Sequence, residues 1–445
     1  MKQRGRHRRR RRGRAVRGAL AGTALALTAA ATLISASQAT VADAPGALKP
    51  ISVSAEAGRL PLAEHRVPGP WLDRLASKMG RPVGVGTVLD SADRTLRTAA
   101  DCSTTEKHTL PVEPAATRAY CFGGADTRGW RPGAVTTSGD ADDDGRWGVN
   151  RVILSGWTRG STEGGSMDGP APEQGMAKVA FVDANDPDRL RYTWALLAVP
   201  VDGGRDYRGL VSSLSGMVWY QDKLLVTTRE GDRDALYVYD MDRIQRATVD
   251  SDAVGRVRGG WAASGYRYVL PAVASYALPG GDDVPHPAAV SLDRSTSPDS
   301  LVASEWVPAD GDRRTRLWRY ALSRGPARSG LLATDSSGRA DPVEAYESKT
   351  TDVRGVLSYR SGWYLDRAAG TPGGHGTLWR QDTKGARATE CATDETRHCW
   401  SGRSGSLSYW EETGELWSQS GRMLFALPLA SAERALGRST DDWVR

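Results

Sequence analysis

The sequence predicts an all-β protein, a β-propeller of about five to seven blades with an irregular N-terminal segment. Three observations favour this fold: a glycine-led strand that recurs along the chain, short apolar strands separated by polar turns, and a near absence of helical periodicity. Only residues 71–80 and 431–438 carry a short helical pattern. A row of independent β-sandwiches would also give short strands, but it would not repeat the same strand opening.

The recurring strand opens four similar stretches of the chain. They start at Gly216, Ala288, Gly355 and Gly405, and each continues as a short strand, a polar turn, a second strand, a turn and a third strand. Three share the opening G-x-[VL]-[WS]-Y, while the stretch at Ala288 is a weaker copy. The starts are spaced at or above the roughly 40–50 residues of known propeller repeats. Because one such sheet cannot bury both faces, we expect the repeats to stack around a common axis.

The remainder of the chain is predicted to add further blades and an N-terminal segment. Residues 147–157 and 176–200 are predicted to supply strands of one more blade, and residues 264–280 to begin another. The predicted organisation is a cleaved signal peptide (1–39), an N-terminal segment packed on the propeller (40–135), the propeller repeats (136–430) and a C-terminal tail (431–445).

The start of the chain has the three parts of an export signal. A stretch with nine Arg and one Lys precedes an apolar run at 18–36, and Ser37-Gln38-Ala39 predicts cleavage before Thr40. A single-pass membrane anchor is the alternative, because the run lies at the lower edge of a membrane span. Without this leader, 49 of the 59 basic groups remain against 53 acidic groups. We therefore expect secretion and no stable membrane insertion after cleavage. Nucleic-acid binding, which needs a concentrated positive face, is not expected.

Four cysteines in the exported part are typical of an oxidising compartment. Three pairings are possible, and we favour the sequential one, which joins Cys102 to Cys121 and Cys391 to Cys399. Loops of this size would each contribute roughly 2–3 kcal/mol through chain entropy. A zinc site is the weaker alternative, because only His398 lies beside a cysteine pair and neither pair has CxxC spacing.

Four stretches together carry a family resemblance. They are SLSGMVWYQDKLLVTT, SGYRYVLP, GSLSYWEETGELWS and, around Cys121, RAYCFGGADTRGWRPGAVTT. In this combination the chain resembles a family of secreted, propeller-like proteins from Streptomyces and related actinobacteria, over roughly residues 100–430. The family has no established biochemical function, so the resemblance implies a fold and secretion from the cell but no catalytic residues. Relatives tend to carry His-Ala-Gly-Gly where this chain has Leu214-Ser215-Gly216, which counts against a role for that histidine here.

A candidate calcium loop precedes the first repeats. Asp140, Asp142 and Asp144 alternate along the chain and are followed by Gly145, as at the start of a calcium loop, where alternate carboxylates converge on one cation. The rest of the motif is missing, because Arg151 stands where a bidentate Glu would fall. A solvated acidic turn is the alternative interpretation.

Other candidate residues carry weaker signals. The 15 Trp could stack on sugars, but those in repeat strands are predicted to fill the space between blades: Trp219, Trp363, Trp379, Trp410 and Trp417. The histidines after the leader lie in no recognisable catalytic motif: His65, His108, His286, His375 and His398. Four carboxylates at strand ends could meet at the mouth of the propeller channel, although no pattern selects them: Asp240, Asp242, Asp366 and Glu415.

These observations predict a binding or scaffolding module at the cell exterior. Ligands of propellers sit at the central channel or on the loop face, so an extracellular polysaccharide of the cell wall or a protein is the expected partner, and we expect a monomer. The alternative is an extracellular hydrolase or lyase that uses carboxylates at the channel mouth, with calcium as its cofactor. A structural surface protein with no small ligand is a third hypothesis. No catalytic residue is identified.

Overall fold

The computed structural model describes residues 44–52, 59–160, 175–228, 232–280, 284–371, 373–391 and 396–437. The predicted signal peptide lies outside these residues. Contacts divide the chain into two units, Met1–Pro45 and Gly46–Arg445, and the strands lie in the second unit.

Strands dominate the chain, and the helices are few and short. The helices are α1 (Gly69–Met79), α2 (Val85–Asp90), α3 (Thr104–Lys107), α4 (Ser138–Ala141) and α5 (Leu429–Arg434), with single 3-10 turns at Ala99–Asp101, Asp202–Gly204 and Pro326–Arg328. The strands are β1 (Lys49–Pro50), β2 (Leu62–Arg66), β3 (Arg94–Thr95), β4 (Arg97–Thr98), β5 (Arg118–Cys121), β6 (Trp130–Thr137), β7 (Val152–Arg159), β8 (Ala177–Asp183), β9 (Arg191–Val201), β10 (Asp206–Gly209), β11 (Met217–Tyr220), β12 (Lys223–Thr227), β13 (Asp234–Asp240), β14 (Gln245–Arg246), β15 (Val254–Val257), β16 (Gly260–Ala263), β17 (Tyr268–Ala277), β18 (Ala289–Asp293), β19 (Ser300–Ser304), β20 (Thr315–Ala321), β21 (Arg339–Ala340), β22 (Pro342–Ser348), β23 (Val353–Tyr359), β24 (Gly362–Arg367), β25 (Thr377–Asp382), β26 (Gly385–Ala388), β27 (Ser404–Trp410), β28 (Glu415–Ser420) and β29 (Met423–Pro428).

Twenty of these strands form five four-stranded antiparallel blades in the described part of the chain. From the innermost strand outwards, blade 1 is β6-β7-β8-β9, blade 2 is β11-β12-β13-β17, and blade 3 is β18-β19-β20-β22. Blade 4 is β23-β24-β25-β26, and blade 5 is β27-β28-β29-β5. Each innermost strand contacts the innermost strands of both neighbouring blades, and β27 of blade 5 contacts β6 of blade 1. The contacts therefore close into a ring, which confirms the predicted β-propeller.

The leading glycines of the repeats occupy equivalent positions in this ring. Gly216, Gly355 and Gly405 lie at or beside the start of an innermost strand, and Gly133 of β6 is a further member. A β-carbon on Gly216 would stand 2.7 Å from the Val290 backbone nitrogen of blade 3, and one on Gly405 would stand 2.6 Å from the Gly133 carbonyl oxygen. The glycines are required because neighbouring backbones approach too closely for a side chain.

The N-terminal segment adds strands to the outer edges of four blades. β1 pairs with β22 of blade 3, β2 with β17 of blade 2, and β3 with β9 of blade 1. β4 pairs with β5, which is itself the outermost strand of blade 5. A strand from before the first blade thus completes the last blade and holds the ring closed.

The propeller begins earlier in the chain than the sequence predicted. The predicted boundary between residues 135 and 136 falls inside β6, the innermost strand of blade 1, and the strand Arg118–Cys121 belongs to blade 5. β6 is not recognisable as a repeat strand from its sequence, because Gly133 is followed by Ala-Val-Thr-Thr and the final Tyr of the pattern is missing. The predicted tail also starts inside an element, since α5 spans Leu429–Arg434 and buries Ala432.

Blades 1 and 2 are joined through their outer strands. Residues 268–271 of β17 pair in parallel with β9, and residues 272–277 pair with β13. Residues 264–280 therefore supply the outer strand of blade 2. The prediction that they begin a new blade was wrong. Residues 147–157 and 176–200 do contribute strands of one blade, blade 1.

Hydrophobic clusters fill the spaces between blades. The five repeat-strand tryptophans are at most 3% exposed, as predicted for packing residues. Both disulfides follow the sequential pairing, Cys102 with Cys121 and Cys391 with Cys399. Over the described ranges, none of the helices combines the length and apolar character needed to cross a membrane.

Candidate functional site

The three predicted calcium ligands do not converge in the structure. Asp140 is buried in α4, directly after β6, and its carboxylate accepts hydrogen bonds from Thr136 Oγ1 (2.6 Å) and Ser408 Oγ (2.7 Å). Burial raises the pKa of Asp140 against these two hydrogen bonds. Asp142 and Asp144 are exposed. No group of described residues that could share one ion contains any of the three. The Asp140 carboxylate connects blades 1 and 5 through its hydrogen bonds to Thr136 and Ser408.

Of the strand-end carboxylates in the sequence analysis, Asp240 and Asp242 lie together at the end of β13, while Glu415 lies in blade 5 and Asp366 in blade 4. Asp240 and Asp242 gather with Asp222, but Lys223 already lies between two of them, 3.3 Å from Asp240 and in contact with Asp222. Glu415 is 3.0 Å from Arg118 on the outer strand of the same blade. Asp240 and Glu415 therefore form structural ion pairs, and no group of described residues that could share one ion unites all four carboxylates.

The histidines are likewise separate from one another, with one exception. His108 and His375 lie with their ring centroids 5.2 Å apart, while buried His286 shares a 3.2 Å hydrogen bond with Thr228 Oγ1. Burial lowers the pKa of His286, which favours its neutral form. No described serine or cysteine is hydrogen-bonded to a histidine in the arrangement of an activated nucleophile.

A large cavity opens at one end of the ring, and the order of the strands explains its position. All five innermost strands begin at the same end of the ring, which we call the upper end. The segments 131–133, 213–215, 352–354 and 402–405, from four blades, converge there and line a cavity of about 700 Å³ together with 158–160 and 368–371. We call it the upper cavity.

Arginine side chains dominate the charge of the upper cavity. Arg131, Arg159, Arg354 and Arg403 line it, and Asp352 is the one carboxylate among the described lining residues. Arg131, Arg354 and Arg403 are exposed to solvent. Within the described ranges, the side chains of Arg131 and Arg403 make no ion pair. Among the described residues, the lining of the cavity therefore carries a net positive charge.

The Asp352 carboxylate already forms an ion pair and a hydrogen bond with neighbouring side chains. Its Oδ1 lies 2.8 Å from Arg354 Nη2 and accepts a 2.8 Å hydrogen bond from Trp306 Nε1. The Arg354 guanidinium also lies over the Trp306 ring, 5.4 Å from its centroid. This cluster holds Arg354 in one place at the cavity wall, which reduces the conformational entropy that the side chain would lose on binding a ligand.

Glycine forms much of the cavity surface. Gly133 and Gly405 line its floor, where the two innermost strands meet, and Gly402 packs against the Gly374 carbonyl. These positions have no side chains. The polar surface that a ligand would meet therefore consists of backbone groups and arginine guanidinium groups.

A smaller cavity of about 250 Å³ adjoins the upper cavity and shares Ser213, Ser215 and Arg354 with it. It contains Glu305, which is buried and paired with Arg316 at 2.9 Å. The charge of Glu305 is thus compensated inside the protein, so the second cavity does not offset the positive charge of the first.

Asp366 lies beneath the upper cavity and pairs in the sheet with Gly355. Its side chain is fully buried, and neither carboxyl oxygen has a hydrogen-bond partner in the described chain. Burial raises the pKa of Asp366 to about 8, against smaller opposing effects of Ser404, Trp400 and Arg354. The raised pKa favours the neutral form of the carboxyl below the arginines.

Sequence reasoning missed the arginines, although a signal was present. Arg131 stands two residues before Gly133, Arg354 directly before Gly355, and Arg403 two residues before Gly405. A basic residue just ahead of a leading glycine must lie at the upper end, since the glycine marks the start of an innermost strand.

Chemically, the upper cavity is suited to holding an anion. Guanidinium groups bind carboxylates and phosphates through paired hydrogen bonds. Hydrolysis of a glycosidic bond by carboxyl groups would need two of them across the substrate. The described lining offers Asp352 alone, and that residue is already paired.

Comparison with known proteins shows distant likenesses only. No protein-family model matches the chain, and no curated protein matches it. The match to a Trypanosoma rangeli sialidase in complex with the inhibitor DANA is 10% identical, spans 75% of this chain and 58% of the sialidase chain, and has a TM-score of 0.27. Drosophila Plexin A in complex with Semaphorin 1b is 11% identical over 66% of this chain and 78% of that chain, with a TM-score of 0.24. At such scores these likenesses assign no ligand or activity, and the five-bladed ring rests on this chain's own strand pairing.

Proposed function

We propose that this protein is a secreted binding module that holds an acidic glycan at the upper cavity. One observation carries the proposal: four arginines surround a cavity whose described lining contains a single, already paired carboxylate. An acidic polysaccharide of the cell wall fits this chemistry, because its repeating anionic groups can meet several guanidinium groups at once.

The export of the protein belongs to the same proposal. Three observations support a location outside the cytoplasm: the N-terminal signal pattern, the resemblance to secreted actinobacterial proteins and the two disulfides. The carboxylate-based hydrolase is not proposed, since no described pair of free carboxylates faces the upper cavity.

The exposed arginines predict a binding affinity that falls with salt. Charges at the protein surface are screened over about 8 Å at physiological ionic strength. Binding through Arg131 and Arg403 should therefore weaken between low and physiological salt, while a ligand held mainly by stacking would show little change.

Calorimetric titration of the mature protein tests the proposal. The probes are galacturonic acid trimer and, as a matched neutral ligand, galactose trimer; inorganic tripolyphosphate in a third arm distinguishes carboxylate from phosphate recognition. We expect the acidic trimer to bind and the neutral one not to bind. The double variant Arg131→Gln/Arg403→Gln should lower the affinity about tenfold or more, as expected for two lost charge-assisted contacts.

The control is the double variant Arg189→Gln/Arg434→Gln. Both arginines are exposed, and neither lines the upper cavity. The control should bind the acidic trimer as the wild type does. Equal binding of neutral and acidic trimers, or an unchanged affinity in the Arg131/Arg403 variant, would refute the proposal.

A further inference from the structure

A second cationic cavity lies on the outer side of blade 1. It measures about 480 Å³, and its lining includes Arg74, Lys78, Arg205 and Arg256 together with Trp261. The described lining contains four basic side chains and no carboxylate. We call it the rim cavity.

Three elements position these basic side chains. Arg74 and Lys78 belong to α1, which packs on the turn at Asp202–Gly204 between β9 and β10. Arg205 follows this turn, and Arg256 lies in the β15-β16 hairpin, which packs on β10. Because α1, the turn and the hairpin contact one another or the same strand, the four charges are held together despite their distance in the sequence.

The base of the rim cavity is rigid and aromatic. Trp261 is 5% exposed, and its ring stacks on Tyr207 at a centroid distance of 5.6 Å with an interplanar angle of 13°. Tyr207 Oη in turn donates a 2.7 Å hydrogen bond to the Ala262 carbonyl. An aromatic surface beside cations is suited to a sugar ring that carries an anionic group.

Three of the four basic groups of the rim cavity are available to a ligand, while Arg74 donates a hydrogen bond to the Gly203 carbonyl. Lys78, Arg205 and Arg256 are exposed, and their side chains form no ion pair within the part of the chain that the structure describes. The nearby Asp206 carboxylate accepts hydrogen bonds from the backbone nitrogens of Tyr207 (2.8 Å) and Arg256 (2.7 Å), and it does not belong to the lining of the cavity.

Both cationic cavities lie at the upper end of the ring. β6 begins at this end, β7 and β9 run back towards it, and the β9-β10 turn with Arg205 extends beyond the paired part of β9. Four strand spacings separate β6 from β10, which corresponds to about 20 Å. A small anion cannot span this distance, whereas an extended chain can.

From this arrangement we infer that the rim cavity is a second anion-binding subsite and that the ligand is a polyanionic chain occupying both cavities. This inference rests on the proposed function and specifies its ligand as a polymer. Two linked subsites bind a long chain more tightly than either binds a short piece, because the second contact is made at high effective concentration.

The test compares galacturonic acid trimer with long-chain polygalacturonate on the mature protein. We expect the wild type to bind the long chain, per chain, at least about tenfold more tightly than the trimer. The rim variant Arg205→Gln/Arg256→Gln should lose most of this advantage and leave binding of the trimer at the upper cavity nearly unchanged. The Arg189→Gln/Arg434→Gln variant should keep the advantage, and unfolding curves establish that each variant is folded.

The outcomes separate this inference from the proposed function. If the rim variant binds the long chain as tightly as the wild type, the second subsite is refuted and the upper cavity still stands. If the Arg131→Gln/Arg403→Gln variant keeps full trimer binding while the rim variant loses it, the upper cavity is refuted as the primary site. If Arg131→Gln/Arg403→Gln or Arg205→Gln/Arg256→Gln no longer binds the long chain more tightly than the trimer, the result supports a ligand that spans both cavities.

Discussion

Gly133 lies so close to the backbone of Leu214 that a β-carbon at position 133 would stand 1.5 Å from the Leu214 carbonyl oxygen. This contact joins the innermost strand of blade 1 to the segment that leads into blade 2. It is the tightest of the contacts through which the leading glycines hold the ring together.

We therefore expect Gly133→Ala to destabilise the propeller. Introducing a methyl group into closely packed surroundings typically costs about 1–3 kcal/mol, and a clash with backbone lies at or above the upper end of that range. Urea unfolding measures the change in free energy. The control is Gly69→Ala at the start of α1, where a β-carbon would meet nothing within 4 Å. Equal stability of the two variants would mean that the ring is not closed through Gly133.

The ring could be predicted because four of its five innermost strands begin with a recognisable sequence pattern. Gly216, Gly355 and Gly405 carry a shared opening, and Ala288 heads a weaker copy. The fifth strand was missed since Thr137 stands where the others place Tyr or Leu. Edge strands such as β1 and β3 were also missed, because two-residue strands have no periodicity and are defined only by their partners across the sheet.

The candidate site was predictable in location but not in chemistry. Ligand binding at the channel or loop face follows from the fold alone. The charge at the upper end depends on Arg131, Arg354 and Arg403, which are far apart in the sequence and meet only when the ring closes. Conversely, Asp140, Asp142 and Asp144 are adjacent in the sequence, but the end of β6 turns Asp140 inward and leaves the other two in solvent.

The disulfide of the closing strand should contribute more to stability than the other one. Cys121 lies in β5 of blade 5, and its bond to Cys102 closes a loop of 19 residues, whereas Cys391–Cys399 closes one of eight. Chain entropy alone gives about 3 kcal/mol for the longer loop and about 2.5 kcal/mol for the shorter. The variant Cys102→Ala/Cys121→Ala should therefore lose more free energy of unfolding than Cys391→Ala/Cys399→Ala. Hydrogen exchange should increase most in β5 and β29; an increase confined to residues around Cys391 would contradict the role of β5.

Lys178 makes stability depend on pH in the alkaline range. Its Nζ lies 3.8 Å from the Trp194 ring centroid and 4.1 Å from that of Trp130, and burial lowers its pKa to about 6, against the opposing effect of Asp126. Between about pH 6 and 10.5 the folded lysine is neutral while the unfolded one is charged. The unfolded state then binds more protons, so the free energy of unfolding rises with pH.

Lys178→Met should remove this rise. The measurement is urea unfolding of wild type and variant across that pH range, with the exposed Lys107→Met as control. If the wild type and Lys178→Met show parallel pH profiles, the aromatic rings hold Lys178 as a cation in the folded protein and its pKa is close to the ordinary value.

Asp366 should have the opposite effect on stability at lower pH. Its carboxyl group is fully buried without a hydrogen-bond partner among the described residues, and burial raises its pKa from 3.8 to about 8. Between these two pH values the folded state keeps a proton that the unfolded state has lost. The contribution of Asp366 to stability therefore falls as the pH rises from about 4 to about 8, and this contribution is constant on either side of that window.

Asp366→Asn should remove this loss, because the amide is neutral at every pH and fills the same space. Below about pH 4 the variant and the wild type should be similarly stable, since both side chains are then neutral. At pH 8 the variant should be more stable by on the order of a few kcal/mol. Unfolding curves across this range measure the difference, with the exposed Asp310→Asn as control. A variant that is less stable than the wild type at pH 8 would show that the Asp366 carboxylate is charged and paired in the folded protein, which would place a negative charge directly beneath the arginines of the upper cavity and weaken the case for an anionic ligand there.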